Sequence, residues 1–487
     1  MSDFSISEYH DTQAIYKKLY TLLDQPIRSI KKDKLKEYIS EYYEKKCAKS
    51  KAMTTEAMKY IPGGVQHNLA FNHPFPLVFT KAEGAYLEDL DGNTYIDFLQ
   101  AGGPTVLGSN PIDIREKVIN LLNTTGPVTG LFHEYEMKLA KLISEHVPSV
   151  DMFRMLGSGT EADMAAIRVA RLATKKKNII KMGGAYHGWS DQLAYGIRIP
   201  GTMHMEAHGV PRHVFKYTQE FFPNDLKSLE RVLRRNQLRG GTAAVLIEPI
   251  GPESGTRPLD YDFNMGVRKL CDKYGSLLIY DEVVTGFRIG MSGAQGYFGV
   301  QPDLTVFGKV VAGGYPAAGG IGGKEQYMKY LAAGIQAGHK KALVGGTMAA
   351  NPLSSLAGYY TLKKIHETKA CVTAGKAGDR LTKGLQKLID KYALPFVAFN
   401  QGSICHLESV GTILLHVDLK KPWKIASTIK EAKLRKNAME EMGAAYMAEG
   451  IVTLAGSRLY TNAMQTDSII DEALNRFERV FQNIEGV

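Results

Sequence analysis

The 487-residue chain contains only four cysteines and two tryptophans. The cysteines form no CxxC pair and no metal-ligand spacing, so we expect free thiols in a reducing compartment and no metal site. No apolar run approaches the roughly 18 residues that a membrane-spanning helix needs. The amino terminus also lacks the order of basic and then apolar residues that is typical of a signal peptide. These absences predict a cytoplasmic protein without a membrane segment.

The chain has no acidic excess: its formal net charge is +10. The basic residues are spread along the sequence, and the densest clusters, Lys31–Lys36 and Lys175–Lys177, are short. Solvated helix ends explain such clusters better than a nucleic-acid site does. A mildly positive surface would instead favour a small anionic substrate. We therefore expect neither a nucleic-acid partner nor a membrane partner.

The apolar pattern divides the chain into three parts. Residues 1–110 contain a helical N-terminal arm and a β-hairpin at 84–97. Residues 111–365 alternate helices with short apolar strands, which is typical of an α/β domain with a mainly parallel sheet. Residues 366–487 predict a smaller α+β part. The predicted strands are Met152–Leu156, Ile179–Met182, Ala243–Ile247, Ser276–Tyr280, Leu304–Phe307, Phe396–Phe399 and Gly411–Val417.

Lys309 directly follows one of these strands, Leu304–Phe307 and its terminal Gly308. A lysine at the end of a buried strand is poorly placed for ordinary solvation. Desolvation lowers the pKa of a lysine, and a neutral amine is the nucleophile that forms a Schiff base with an aldehyde. The alternative is a lysine that reaches solvent as the strand ends.

The segment Gly157–Ala162 lies between a predicted strand and a predicted helix. Its glycines permit a tight turn, and the backbone amides at the helix start, with Ser158, Gly159 and Thr160, could bind an anion such as phosphate. Thr160 could equally be a plain helix cap, with Asp163 three residues further on. The two interpretations are compatible with each other.

Two further strand ends carry candidate groups. Asp281 and Glu282 follow a buried strand, where a carboxylate must be paired or used, and the alternatives are a helix cap or a structural ion pair. Tyr186, between glycines, could lie flat on a planar ring. His187 beside it lacks a partner fixed by spacing, so a structural histidine is the favoured interpretation. The turn at Thr347 resembles the first phosphate turn and could act from a neighbouring subunit.

Taken in order, these motifs resemble the class III (ω-type) aminotransferases, which bind pyridoxal phosphate on fold type I. Tyr60–Val65 and Ala294–Leu304 are similar to the glutamate-1-semialdehyde 2,1-aminomutase branch. After Val65, this chain lacks the serine and arginine that bind the substrate carboxylate in that branch. The family motifs, which cover most of residues 55–365, are matched at Ser158–Thr160, Tyr186–Gly188, Glu248–Pro249, Asp281–Arg288, Lys309, Gly346–Thr347 and Asn351–Pro352.

The resemblance implies a large domain with a mainly parallel sheet and a smaller α+β domain built from N- and C-terminal parts. It implies that Lys309 binds the cofactor covalently and moves protons, and that Asp281 keeps the ring nitrogen protonated. Val283 and Tyr186 would pack on the two ring faces. The implied cofactor-binding set is Ser158, Gly159, Thr160, Tyr186, His187, Glu248, Asp281, Val283, Lys309 and, reaching the partner subunit of a homodimer with shared sites, Thr347.

The implied function is amino-group transfer on a small amino compound through a Schiff base, with lysine-mediated proton transfer. The alternatives on the same fold are an ammonia-lyase acting on an amino-phosphonate and an amino-acid epimerase. The intact lysine, acid and phosphate turn argue against a non-catalytic protein of this fold. The candidate groups for binding an anionic substrate are His67, Asn68 and Arg257.

Overall fold

The computed structural model describes residues 3–334, 340–416 and 425–487. The chain divides into two compact units. The larger consists mainly of Ile112–Cys371, and the smaller of Ser5–Pro111, Val372–Leu414 and Ala426–Val487. Within the described residues, no helix is both long enough and apolar enough to cross a membrane.

The strands follow in chain order: β1 (Phe79–Glu83), β2 (Tyr86–Asp89), β3 (Thr94–Asp97), β4 (Met152–Leu156), β5 (Asn178–Met182), β6 (Thr218–Phe221), β7 (Thr242–Ile247), β8 (Leu277–Asp281), β9 (Leu304–Gly308), β10 (Gly319–Gly323), β11 (Val397–Gln401), β12 (Ile404–Glu408), β13 (Ile451–Val452) and β14 (Arg458–Tyr460).

The helices are α1 (Thr12–Asp24), α2 (Lys32–Glu37), α3 (Ala48–Ala57), α4 (Ile112–Thr124), α5 (Glu134–His146), α6 (Gly159–Thr174), α7 (Leu226–Gln237), the single turn α8 (Pro252–Gly255), α9 (Phe263–Tyr274), α10 (Gly293–Phe298), α11 (Glu325–Met328), α12 (Pro352–Thr368), α13 (Ala370–Lys391), α14 (Ile425–Ala448) and α15 (Asp467–Phe481).

The larger unit contains a seven-stranded sheet of order β4-β10-β9-β8-β7-β5-β6. The run from β9 to β6 is parallel, whereas β10 pairs antiparallel with both β9 and β4. Strands β5, β7, β8 and β9 are buried along their whole length. This burial explains their continuous apolar sequences, because a parallel sheet is covered on both faces.

Helix α6 packs on this sheet through a face of small residues. Ala162, Ala165, Ala166 and Ala170 are fully buried. Short side chains let the helix backbone approach the strands closely, which brings the amino terminus of α6 to the strand ends that carry the candidate groups. Each apolar carbon group buried on this face stabilises the folded protein by about 0.8 kcal/mol, so the packing of this face holds α6 on the sheet.

The smaller unit contains two sheets, β1-β2-β3-β13 and the antiparallel β11-β12-β14. Strands β2 and β3 form the predicted hairpin. The core includes Leu19, Leu381, Tyr446 and Phe477 from four different helices. The predicted strand at 411–417 is wrong over 411–416, where Thr412–Leu414 form a 3-10 turn, and its last residue lies outside the described residues.

Candidate active site

The ends of the parallel neighbours β8 and β9 carry the central pair of candidate groups. Asp281 is the last residue of β8 and pairs in register with Val306 of β9. Lys309 follows β9 and begins a 3-10 turn whose other residues are buried. It is half-buried and has a left-handed backbone with φ of 48°. A non-glycine residue in that region is strained, and such strain is tolerated most often at functional sites.

Asp281 is held by two hydrogen-bond donors. Its Oδ2 lies 2.7 Å from Nδ1 of His187, and its Oδ1 accepts from the backbone N–H of Val283 at 2.9 Å. Burial lowers the pKa of His187, which keeps the imidazole neutral. Because a carboxylate only accepts, Nδ1 of His187 carries the proton of this bond. Sequence spacing did not reveal this pairing.

The other acid of the pair, Glu282, has a different environment. Its carboxylate accepts from the backbone N–H of Ala294 at 2.7 Å and from the hydroxyl of Thr285 at 2.9 Å. The side chain and backbone of Gln295 donate to it as well. Burial raises the pKa of Glu282, and these bonds oppose that rise. Glu282 therefore has the contacts of a structural carboxylate.

The amino terminus of α6 forms the candidate phosphate site. Ser158 caps this helix, and its Oγ accepts from the backbone N–H of Glu161 at 3.2 Å. The carboxylate of Glu161 in turn accepts from the N–H of Gly157 at 3.0 Å. The interpretation of Thr160 as the cap is therefore wrong, because Thr160 lies inside the first turn. First-turn N–H groups have no partner within the helix and favour an anion there.

Close packing between glycines and their neighbours brings four segments together. A Cβ on Gly159 would lie 2.7 Å from Val283, and one on Gly308 would lie 2.8 Å from the same side chain. A Cβ on Gly188 would lie 2.1 Å from Oγ1 of Thr160. The phosphate turn (Gly157–Thr160), the end of the acid strand β8, the lysine strand β9 and the aromatic turn (Tyr186–Gly188) are thus in contact.

Glu248 anchors the aromatic turn through hydrogen bonds to backbone N–H groups. Its carboxylate accepts from the backbone N–H groups of Tyr186 at 3.1 Å, Glu253 at 2.9 Å and Ser254 at 2.7 Å. Burial and the nearby Asp281 carboxylate together raise the pKa of Glu248 to about 8, against the opposing effect of the hydrogen bonds from Ser254 and Glu253. Tyr186 is 49% exposed, so part of this residue is accessible to a ligand.

Two buried groups near this site escaped the sequence predictions. Asp163, on the packed face of α6, is 1% exposed. Lys181, in the middle of β5, is fully buried and donates to the carbonyls of Ala185 at 2.8 Å and Tyr195 at 2.7 Å. Burial lowers the pKa of Lys181 to about 8, against the attraction of surrounding acids.

The remaining candidates have separate surroundings. Thr347 is exposed in a turn just before α12. Arg257 is half-buried and donates to the carbonyl of Leu415 at 2.6 Å. His67 and Asn68 belong to the smaller unit, where they are exposed and Nδ1 of His67 accepts from the N–H of Leu69 at 3.1 Å. Substrate binding by these residues stays a prediction.

The assembled residues fit a cofactor with an aldehyde, a ring nitrogen and a phosphate. Lys309 offers an amine, Asp281 a buried carboxylate and the start of α6 a set of N–H donors. Gly159 also matters here, because a side chain at that position would overlap Val283 and displace the helix terminus. The donor set therefore suits pyridoxal phosphate.

Comparisons with known proteins agree with this chemistry. The family model of class-III aminotransferases matches residues 69–481. Glutamate-1-semialdehyde 2,1-aminomutase 1 of Lachnoclostridium phytofermentans is 39% identical over 367 residues, which are 73% of this chain and 83% of that protein. Glutamate-1-semialdehyde 2,1-aminomutase 2 of Geobacillus kaustophilus is 35% identical over 454 residues, which are 90% of this chain and 99% of that protein.

Among solved structures, an omega-transaminase from Sphaerobacter thermophilus has the same fold. The two structures superpose with a TM-score of 0.78 at 27% sequence identity. The match covers 91% of this chain and 99% of the transaminase.

Proposed function

The chain belongs to the class III aminotransferase family, and on that premise we propose that Lys309 binds pyridoxal phosphate and moves the protons of an amino-group transfer on a small anionic amino compound. The protein is a pyridoxal-phosphate-dependent enzyme of fold type I. Its aminomutase relatives favour amino-group transfer over the lyase and epimerase alternatives. The adjacent ends of β8 and β9, which carry Asp281 and Lys309, are the observation on which the site assignment rests.

Lys309 acts in two ways in this proposal. Its amine would hold the cofactor aldehyde covalently until the substrate amine replaces it. The released lysine amine would then take a proton from the substrate carbon and return it to a neighbouring atom. Pyridoxal phosphate, when bound, supplies the electron-withdrawing ring that makes this proton removable.

Asp281 would hold a proton at the ring nitrogen. His187 and Val283 fix the orientation of its carboxylate from two sides. Val283 would pack against one ring face, because its side chain fills the space beside both Gly159 and Gly308, next to the proposed phosphate and lysine positions. The half-exposed ring of Tyr186 would cover the other face.

Ser158, Gly159 and Thr160 would bind the phosphate. Their N–H groups lie at the start of the 16-residue helix α6, where the helix dipole is positive. The phosphate oxygens would accept hydrogen bonds from these donors and from the hydroxyl of Thr160. These contacts would fix the phosphate group of the cofactor and so help to orient its ring.

We further propose a homodimer in which Thr347 reaches the phosphate of the partner subunit. Thr347 is exposed, and near it Nε2 of His133 lies 3.1 Å from the carbonyl of Ala350. The segment before His133 presents Leu131 and Phe132, each 78% exposed. Large apolar side chains at such exposure suit an interface with a second copy.

For the substrate, we propose an anionic amino compound whose charged group is bound by residues other than the serine and arginine that this chain lacks after Val65. Gln66, His67 and Asn68 follow Val65, and Arg257 lies in the larger unit. The positive net charge of the chain supports an anionic substrate. We also propose a cytoplasmic location, which the free thiols of all four cysteines support.

The function is tested by substrate screening with the cofactor absorbance as readout. The loaded enzyme is titrated with glutamate-1-semialdehyde, α-amino acids, β-amino acids and aminoalkyl phosphonates. Stoichiometric conversion of the cofactor to its amine form, or movement of the amino group within one molecule, supports the proposal. Ammonia release or a purely chiral change contradicts it.

A further inference from the structure

Three carboxyl groups and one histidine are buried close together around the end of β8. Asp163, Asp281, Glu248 and His187 are 1%, 5%, 6% and 1% exposed. The charged groups that act on Asp163 are Asp281, Glu248 and the buried Lys181. One buried cation cannot compensate three buried anions, so some of these carboxyl groups must hold a proton.

Asp163 and His187 each present an unused polar atom in this interior. Within the part of the chain that the structure describes, neither Oδ1 of Asp163 nor Nε2 of His187 has a hydrogen-bond partner, although both atoms are buried. One carboxylate oxygen of Asp163, one ring nitrogen of His187 and one carboxylate oxygen of Asp281 lie within 4.8 Å of one another. The carboxyl group of Asp163 is therefore close to the imidazole of His187. A small rotation of the Asp163 side chain or one bridging water spans such a distance.

We propose that Asp163 is a positioning residue that keeps a proton beside His187, holds the imidazole in the tautomer that donates to Asp281, and so leaves Asp281 as the charged carboxylate of the cluster. The carboxylic O–H of Asp163 donates to Nε2 of His187, and Nδ1–H of His187 donates to Asp281. No proton is transferred between these residues in this arrangement. The role at the cofactor ring rests on the proposed function of Asp281.

The electrostatics of the cluster support this order of donors. Burial raises the pKa of Asp163 well above its ordinary value, and the charges of Asp281 and Glu248 raise it further, against the opposing effect of Lys181. Burial also lowers the pKa of His187. These shifts favour a protonated Asp163 carboxyl and a neutral His187 imidazole, which is the combination that the chain of donors requires.

Two variants of similar volume separate the roles of Asp163. Asp163→Asn keeps an N–H donor for His187, whereas Asp163→Leu removes it. In the apoenzyme, we expect the infrared difference spectrum of wild type minus Asp163→Asn to show the carbonyl stretch of a protonated carboxylic acid. Nitrogen NMR of labelled histidines, with His187→Gln for assignment, should show the Nδ1–H tautomer in wild type and Asp163→Asn and a mixed population in Asp163→Leu.

In the loaded enzyme, the pH titration of the cofactor absorbance gives the functional readout. Asp163→Asn should keep the wild-type midpoint, and Asp163→Leu should lower the proton affinity of the bound cofactor by about tenfold, one pKa unit. Absence of the acid band, or a wild-type tautomer and titration in Asp163→Leu, overturns the proposal. If Asp163→Leu does not fold, the infrared result on Asp163→Asn still decides. The infrared and NMR measurements on the apoenzyme do not depend on the proposed function. If the proposed function is wrong, Lys309→Ala will keep the wild-type cofactor spectrum, so the two failures can be distinguished.

Discussion

At the scale of single residues, Lys309 bears the proposed chemistry, and its removal is the most direct test. Lys309→Ala should abolish the visible absorbance of the covalently held cofactor and lower kcat by roughly a thousandfold. Lys324→Ala is the matched control, because Lys324 also directly follows a strand of the same sheet and is equally half-buried, but its Nζ is paired with Oδ1 of Asp151 at 3.1 Å. A wild-type spectrum in Lys309→Ala would contradict the assignment.

Glu248 should make stability depend on pH. Burial raises its pKa to about 8 from an ordinary value of 4.5, so between these values the folded protein keeps a proton that the unfolded chain releases. The contribution of Glu248 to the free energy of unfolding therefore falls as pH rises through this window. Glu248→Gln removes the titration, and its free energy of unfolding should decrease less between about pH 6 and about pH 8.

Urea unfolding of the apoenzyme at these two pH values measures the difference. Glu230→Gln is the control, because the hydrogen bond from Lys273 lowers the pKa of Glu230, so that Glu230 does not titrate between about pH 6 and about pH 8. Glu248→Gln should also be less stable overall, since its amide group faces a backbone N–H donor. An unchanged pH dependence in Glu248→Gln would show that Glu248 is already ionised.

Residues at strand ends were predictable from the sequence, whereas the buried groups around them were not. Lys309 and Asp281 follow apolar runs, and that position alone makes them candidates. Asp163 looked like part of a helix cap, although it shares a face of α6 with the buried Ala166 and Ala170. Helical periodicity could have revealed that burial. The proximity of Asp163 to His187 depends on how α6 packs on the sheet, and the local sequence does not encode that packing.

At the scale of elements, apolar strands were predictable and glycine-rich ones were not. The structure confirms the five predicted strands of the larger unit as β4, β5, β7, β8 and β9. Strand β10 has four glycines around Ile321 and therefore no β-propensity signal. Its glycines are required by packing, since a Cβ on Gly320 would lie 2.4 Å from the ring of Phe153.

The contact between the aromatic turn and α6 gives an element-scale prediction. Gly188 and Gly209 both have left-handed backbones, with φ of 79° and 84°. An added Cβ meets Thr160 at 2.1 Å at Gly188 but nothing within 4 Å at Gly209. Gly209→Ala should cost about 1 kcal/mol from the backbone alone, and Gly188→Ala about 1–3 kcal/mol more. Gly188→Ala should also weaken cofactor binding, because Thr160 belongs to the phosphate site.

Chemical unfolding and cofactor titration of both variants measure these effects. Equal stability losses in Gly188→Ala and Gly209→Ala would show that the two segments can separate without cost. If Gly188→Ala loses stability but binds the cofactor as tightly as wild type, Thr160 packs against Gly188 but does not contribute to phosphate binding.

At the scale of the whole molecule, the proposed dimer makes each site depend on two chains. Thr347→Ala should weaken cofactor binding roughly tenfold, the effect of one lost hydrogen bond to a charged group. Phe132→Asp should convert the dimer to a monomer, because it places a charge among apolar side chains at the interface. Sedimentation measures the second effect, and Tyr261→Asp, at a solvent-exposed tyrosine elsewhere on the larger unit, is the control.

Mixed dimers decide whether Thr347 acts in its own subunit or in the partner. A dimer of one Lys309→Ala chain and one Thr347→Ala chain is purified with two affinity tags. If Thr347 reaches across, one of its two sites has both residues intact and the other has neither. At limiting cofactor, this dimer should then have about half the wild-type activity. If Thr347 acts within its own chain, both sites are damaged and activity at limiting cofactor stays below that value, which would place the phosphate contact inside one subunit.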